Sequence, residues 1–455
     1  MENLPVAIPP QLAYEVPERA ILSSNKSVTV KPQSGSSVGS TTNSASSSDV
    51  ISIKLPNVGI APTSRMYLKY TLTVKSSGTD DASVALDNFA PDASIIKRLV
   101  LKSSDGTTIN DIANYDAINS LLASVNESSD YQQNQGSVMY GMGCEDDYAT
   151  QLVNNSAATS MNVGWKEASR RGSARFSATA GADVSKTMIH HFRVGLLSSH
   201  EDHYLPLSFL GSGMTLELTL NDAKNAFRVF KAEANDTPLG QALANADVGV
   251  TYGLTNVELH LDLLSYDPSI QGQISNRLCD GLRFKSGRVR TQTNSVSATE
   301  NNIVINDHAR SVEAIVFGCR LASDVGKQER DEHNYRYATD ADGTIKEYQF
   351  AIGSSNCPQD RVQFGADSYK HLEQAMRPYF GEKFQMGNQI NKANYLKANG
   401  SNLVNVGRAF GAVNLKSHPA LEDVLSGVSA SSGSIPINLA LTFDNAPASD
   451  TQVQV

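Results

Sequence analysis

The sequence predicts an all-β chain in which one sandwich is built twice. Three observations carry that expectation. The composition is poor in charge and rich in Ser, Thr, Asn and Gly. Short segments alternate apolar with polar residues along most of the chain. Two amphipathic helices repeat one another at a fixed distance. Charged residues are 19% of the 455 and hydrophobic ones 40%, so a sizeable core is possible, and the length suits two or three domains.

Residues 1–49 read as an N-terminal arm. The first twenty are punctuated by Pro, and 23–49 are about half Ser and Thr without a hydrophobic period. Such a stretch buries too little to order itself and is expected to become fixed only against neighbours. Its start, MENLPVAIPPQLAYEVPE, has no basic segment followed by an apolar one, so it does not read as a secretory signal.

Strands dominate from residue 50. Leu68, Tyr70, Leu72 and Val74 alternate with Lys69, Thr71, Thr73 and Lys75; Leu216–Leu220 and Val257–Leu263 alternate in the same way. Period two with one apolar face marks a half-buried antiparallel strand. Further strands are expected at Ile51–Leu55, Ile95–Leu101, Met188–Leu196, Leu282–Arg290, Val312–Leu321, Tyr348–Ile352 and Ile437–Phe443.

Only two segments have a helical period. One places Tyr115, Ile118, Leu121, Leu122 and Val125 on a face, with Asn114 as N-cap. The other places Tyr369, Leu372, Ala375, Met376 and Tyr379 on a face, with Ser368 as N-cap. Faces and caps share an offset of 254 residues. A second echo links GSGMTLELTLND (211–222) to GSIPINLALTFDN (433–445), in the same order. Two echoes imply a duplicated unit. The first copy carries a long insertion at 127–187, rich in Ser, Asn, Gln and Gly. The expected division is an arm at 1–49, a first unit at 50–266, a second at 267–445, and a C-terminal tail at 446–455.

The residues that carry chemistry do not assemble into a motif. His190, His191, His200, Glu201, Asp202 and His203 are the nearest approach to a metal site, with His200 and His203 as candidate ligands. The segment reads HEDH and not HExxH, and adjacent His190 and His191 point to opposite sides of a strand, so no metal is expected. Nucleophile and phosphate-loop motifs are absent. The cysteines at 144, 279, 319 and 357 have neither metal-ligand nor disulfide-framework spacing, and Cys357 sits in a turn-like SSNCPQD. Arg170, Arg171 and Arg175 cluster in the long insertion near Trp165, and a solvated loop with local ion pairs is expected there. The net charge of −9 and the sparse basic residues of the arm argue against direct nucleic-acid binding. No catalytic residue, cofactor site or metal is expected; the product of such a chain is surface.

As a set, several segments resemble a known family. They are DVISIKLPN (49–57), NFAPDASIIKRLVLKSSDGTTINDIANYDAINSLL (88–122), HYLPLSFLGSGMTLELTLN (203–221), YGLTNVELHLDLLSYD (252–267) and YQFAIGSSNCPQDRVQF (348–364) with the following helix YKHLEQAM. Their order and the repeated helix resemble the double jelly-roll major capsid proteins of eukaryotic DNA viruses, above all those of polinton-like viruses and virophages. The resemblance implies two tandem eight-stranded jelly rolls with long loops and one short helix per roll. It implies a homotrimer that forms a pseudo-hexameric capsomer and tiles an icosahedral shell beside neighbouring capsomers. A separate penton protein and minor or cement proteins would complete the virion, and the resemblance leaves an internal membrane open. Two other readings compete: a carbohydrate-binding or attachment β-sandwich, which a single Trp and scattered Tyr support poorly, and a metal-dependent cupin-like enzyme built on His200 and His203.

Overall fold

The structure, a computed structural model, describes residues 23–76, 82–128, 136–140, 175–178, 183–199, 204–231, 250–278, 289–326, 333–339, 343–380, 386–396, 407–417, 426–430 and 436–455, apart from 36, 40–44, 47, 88, 211–212, 308 and 388–389. Eight strands make the first unit: β1 (Ser23–Val30), β2 (Val50–Lys54), β3 (Tyr67–Ser76), β4 (Ile96–Lys102), β5 (Thr108–Ala113), β6 (Asp183–His191), β7 (Thr215–Leu220) and β8 (Val250–Tyr266). Helix α1 (Tyr115–Asn126) lies between β5 and β6. Helix α2 (Pro268–Leu278) follows β8.

The second unit repeats the plan. Its strands are β9 (Thr293–Ser295), β10 (Glu300–Ile305), β11 (Ala314–Leu321), β12 (Gly343–Ile352), β13 (Ser355–Gln363), β14 (Phe410–Asn414), β15 (Ile437–Phe443) and β16 (Thr451–Gln454). Helix α3 (Ala366–Phe380) lies between β13 and β14.

Sheet order is the clearest sign of duplication. The first unit has sheets β1-β8-β3-β6 and β2-β7-β4-β5; the second has β9-β16-β11-β14 and β10-β15-β12-β13, and in this last sheet the two residues Ala338–Thr339 add a short fifth strand at the start of β12. Adding eight to every strand number of the first pair gives the second pair. All of these pairings are antiparallel. Two four-stranded sheets with this interleaved order make a jelly roll, so the chain is a double jelly roll. Both echoes read from the sequence fall on equivalent elements, α1 with α3 and β7 with β15.

The alternation assigns the faces as expected. Leu68, Tyr70, Leu72 and Val74 of β3, Leu216, Leu218 and Leu220 of β7, and Leu259, Leu261 and Leu263 of β8 are all buried between the sheets. Their polar neighbours on β3 and β8 line the outer face, where Asp262 accepts from Ser27 Oγ (2.5 Å) and meets Arg65 (3.4 Å).

Several expectations change. The stretch 23–49 is not without order of its own: β1 pairs with β8 from Ser23↔Tyr266 to Val30↔Leu259, and farther along Val38 bridges Leu254. A strand with only Val28 and Val30 on its apolar side has too short a hydrophobic pattern to be read as one. The tail is also structural, because β16 lies between β9 and β11 with Thr451 and Val453 fully buried. Its one buried valine, Val453, between two Gln residues gave no run long enough to detect. Cys357 lies on β13 opposite Phe350, and the turn of that hairpin falls at Gly353–Ser354.

Both expected caps differ in detail. Asn114 adopts a left-handed conformation (φ 50°) and makes no side-chain cap bond. Helix α3 begins two residues before Ser368, whose Oγ reaches back to accept the Gly365 N–H at 2.9 Å. The strand expected at Met188–Leu196 runs instead from Asp183 to His191, so it starts inside the presumed insertion. Most of the strand expected at Leu282–Arg290 lies outside the described residues. Three of the first roll's connections supply a small extra sheet of Arg228–Lys231, Ala82–Ala85 and Arg175–Ala178, in that order.

Candidate functional site

The densest group of buried charge lies where the two rolls meet. Helix α1 explains its position. Tyr115, Ile118, Leu122 and Val125 are buried as the helical period requires, yet Asp116, Asn119, Ser120 and Ser124 on the other face are buried as well. A helix buried all round needs a second neighbour, and residues of the second roll supply it.

Arg408, in the connection leading to β14, is the largest fully buried side chain among the described residues. Its Nη2 donates to Ser120 Oγ and its Nη1 to the His333 carbonyl, both at 2.9 Å. The guanidinium lies 3.8 Å above the Phe89 ring centroid, a cation–π contact in a desolvated setting. It also stands 3.8 Å from Asp87 Oδ2. Asp87 is fixed by its own loop: its Oδ1 accepts the N–H groups of Phe89 (2.7 Å) and Ala90 (2.8 Å), and its carboxylate accepts Ser120 Oγ at 3.1 Å. Arg228 approaches the same carboxylate at 3.5 Å. Burial pushes the Asp87 carboxyl up, but Arg408, His333, Arg228 and the Ala90 N–H together hold it below the usual range. Beside it, Asp116 accepts Asn221 Nδ2 (2.8 Å) and faces His333 Nε2 of the second roll at 3.7 Å. Across the joint, acids of the first roll thus meet Arg408 and His333 of the second, with Arg228 of the first roll also beside Asp87.

Other contacts continue the seam. Asn114 Nδ2 donates to Thr291 Oγ1 at 2.7 Å, which accounts for the side chain not capping α1. Gly387 N donates to the Val125 carbonyl at 2.8 Å; a Cβ there would sit 2.4 Å from the Glu127 carbonyl oxygen, so only glycine allows the approach. Tyr379 of α3 donates its hydroxyl to the Arg193 carbonyl.

Arg193 leads into a second buried cluster, inside the first roll. Its guanidinium contacts Asp92 (2.9 Å) and Glu127 (2.9 Å). Asp92 Oδ2 is 2.7 Å from His190 Nδ1, and His190 Nε2 is 2.9 Å from the Tyr115 hydroxyl. Burial would raise Asp92, but the Arg193 charge and the His190 hydrogen bond outweigh it and hold the carboxyl far below the usual range. Burial pushes the Tyr115 hydroxyl well up, so it stays protonated beside Nε2. An Asp–His–Tyr chain has the spacing of a proton relay. Here Asp92, His190 and Tyr115 all have zero exposure, so a substrate cannot reach them and the chain acts as a brace.

The remaining candidate residues are dispersed. His190 is buried and His191 half-buried on the opposite face of β6, as adjacency on a strand requires. His200 and His203 lie outside the described residues, as do Cys144, Trp165, Arg170, Arg171 and Cys279; Arg175 opens the outer strand Arg175–Ala178 of the small extra sheet. Among the described residues no group of three or more His, Cys, Asp or Glu is placed to hold a metal. Cys319 and Cys357 are free thiols; burial pushes Cys319 up to about 12.

Sequence reasoning missed Arg408, Asp87 and Asp116. One signal was present: Arg408 interrupts the apolar run VNVGRAFGAVNL, where an arginine is unexpected unless it has a buried partner. Nothing in the sequence pairs it with residues some three hundred positions away.

No protein-family model matches the chain, and no curated protein does. Solved structures do. A chain of the Sputnik virophage, solved by cryo-EM, matches with a TM-score of 0.56 at 11% identity, over 100% of this chain and 89% of that one. The Faustovirus major capsid protein matches with a TM-score of 0.50 at 10% identity, over 99% of this chain and 91% of that one. At such identities the likeness is one of fold, and it extends through both rolls.

Proposed function

We propose that this chain is the major capsid protein of an icosahedral virus, working in the virion and not as an enzyme. The observation that carries the reading is the repetition of one eight-stranded roll along a single chain, joined by a buried seam. A rigid pair of like lobes has a direct use. Three copies about a threefold axis present six similar lobes, and a six-lobed plate tiles the flat faces of a shell. The matches to capsid structures over both rolls support the same reading.

In this proposal the unit boundary falls between residues 266 and 267, where β8 gives way to α2. The buried charges act inside the chain: Arg408 and His333 against Asp87 and Asp116 keep the two lobes from splaying when neighbours press on them. The homotrimer meets neighbouring capsomers side to side, with a penton protein at the vertices and minor or cement proteins between plates. Long connections of the first roll, including 127–187, extend from the plate or interlock with its neighbours. The acidic balance of the chain fits a shell that does not grip its genome.

The test is the mass and shape of the purified protein. Light scattering is expected to give three times 48.8 kDa, unchanged on dilution because obligate interfaces are large. Negative-stain images are expected to show six-lobed plates or closed shells. A stable monomer at micromolar concentration would overturn the proposal.

A further inference from the structure

We propose that β1 is an exchangeable strand: in the assembled state Ser23–Val30 of one copy lies on the β8 edge of a neighbouring copy, in the register seen here within one chain. The inference rests on the proposed assembly, since it needs a second copy close by.

Four observations carry it. First, β1 is an edge strand whose hold is mostly backbone. Ser24 to Ser27 and Thr29 are exposed, and only Val28 and Val30 are half-buried. Little apolar area is lost when such a strand lifts, so its local opening costs far less than global unfolding. Second, the part of β8 that it covers has other backbone partners: Leu259 and His260 pair with Leu68 and Tyr67 of β3, and Leu264 bridges Ile60. Third, the second roll closes with much less. Its equivalent strand β9 has three residues against the eight of β1, so the length of β1 exceeds what this fold requires. Fourth, β1 hangs from a turn at Pro32–Gly35. Gly35 has φ +98° and no atom within 4 Å of a Cβ position, while Gln33 N is anchored to the Ser52 carbonyl at 2.8 Å. Because Gln33 is the anchored residue, the strand can swing at Lys31–Pro32 while the arm from Gln33 onward stays on its own roll.

The occupant of a vacated edge is specified by side-chain rungs. Asn25 Nδ2 and Ser27 Oγ donate to Asp262, and Thr29 Oγ1 meets His260 Nδ1 at 3.3 Å. Each copy carries the same address, so a neighbour's β1 fits as well as the chain's own. Exchange of an identical element is a low-cost route to linked protomers, and the high local concentration inside an assembly favours it.

The experiment uses full-length chains. One batch carries Ser27→Cys and the other Asp262→Cys; they are co-assembled, oxidised and digested, and mass spectrometry seeks a disulfide joining position 27 to position 262. Neither chain can form that bond alone. A cross-chain bond in a large share of the assemblies is the expected result. The double variant on one chain, oxidised in dilute solution, shows that the two positions can be bridged. Assemblies of normal size in which the double variant bridges only within chains, and the mixture gives no cross-chain bond, would overturn the exchange while leaving the assembly intact. Light scattering showing monomers under all conditions would instead overturn the assembly on which it rests.

Discussion

The two rolls share the eight strands of their main sheets and differ in how they close. In the first, an eight-residue β1 lies against a seventeen-residue β8 at the rim of a sheet. In the second, the equivalent β9 and β16 have three and four residues, and β16 is nonetheless central and buried. The helices differ as well. α1 is buried on both faces, whereas α3 keeps Lys370, Glu373 and Arg377 in solvent-side ion pairs. Strand order follows from the alternating pattern, which both copies keep. Strand length and helix burial follow from neighbours, and the copies have different neighbours. A duplicated fold therefore diverges first at its margins, where acids of one copy have come to meet Arg408 and His333 of the other.

The largest expected effect tests closure. Deleting 446–455 removes β16, and the second roll is expected not to fold; near-UV circular dichroism and proteolysis should show the loss of one roll. Deleting residues up to 30 should leave both rolls folded. If the two deletions were equally damaging, the contrast between rim and centre would fail.

Next comes the seam. Arg408→Met leaves Asp87 without its nearest cross-roll charge, and breaking a buried pair from one side costs about 3–5 kcal/mol. Urea unfolding should show this, with the two rolls separating into distinct transitions. Arg193→Met, which strips Asp92 inside one roll, should cost a similar amount but keep a single transition. A single transition for both variants would mean that Arg408 does not couple the rolls.

Acid probes both clusters at once. Asp87 and Asp92 are held below their unfolded value of about 3.9. Depressed carboxyls contribute stability that is fully present above about pH 5 and is lost as pH falls through 4 and below. Unfolding curves between pH 6 and pH 2 should follow that course, with a shallower fall in Asp92→Asn.

Smaller effects belong to packing and surface. Gly411→Ala on β14 would place a methyl 2.3 Å from the Phe317 ring, an overpacking expected to cost about 1–3 kcal/mol. Arg98→Ala removes a bidentate pair with Asp111 (2.6 and 2.7 Å) on an exposed sheet face. Thermal melting should register about 1 kcal/mol or less.

These contrasts also explain what could be read from the sequence. β3, β7, β8 and β15 announced themselves because one face of each meets a core and the other meets water. β1 and β16 did not: the first has too few apolar residues, and the second is buried more widely than its short Thr-Gln-Val-Gln pattern suggests. The helices were visible through their apolar faces, but the burial of Asp116 and Ser120 was not, because it depends on residues of the other roll. Asn114 shows the limit well. It is a good cap by type, yet its amide is drawn to Thr291 across the seam.

The seam also sets an order of events during synthesis. The acids at 87 and 116 emerge with the first roll, which is complete at Tyr266, while Arg408 emerges about 140 residues later; at ordinary rates of translation the wait is on the order of ten seconds. During that wait the face around α1 lacks Arg408 and His333, and of the cations beside Asp87 only Arg228 is already in place. The acids of the first lobe therefore wait for counter-charges that the same polypeptide delivers later.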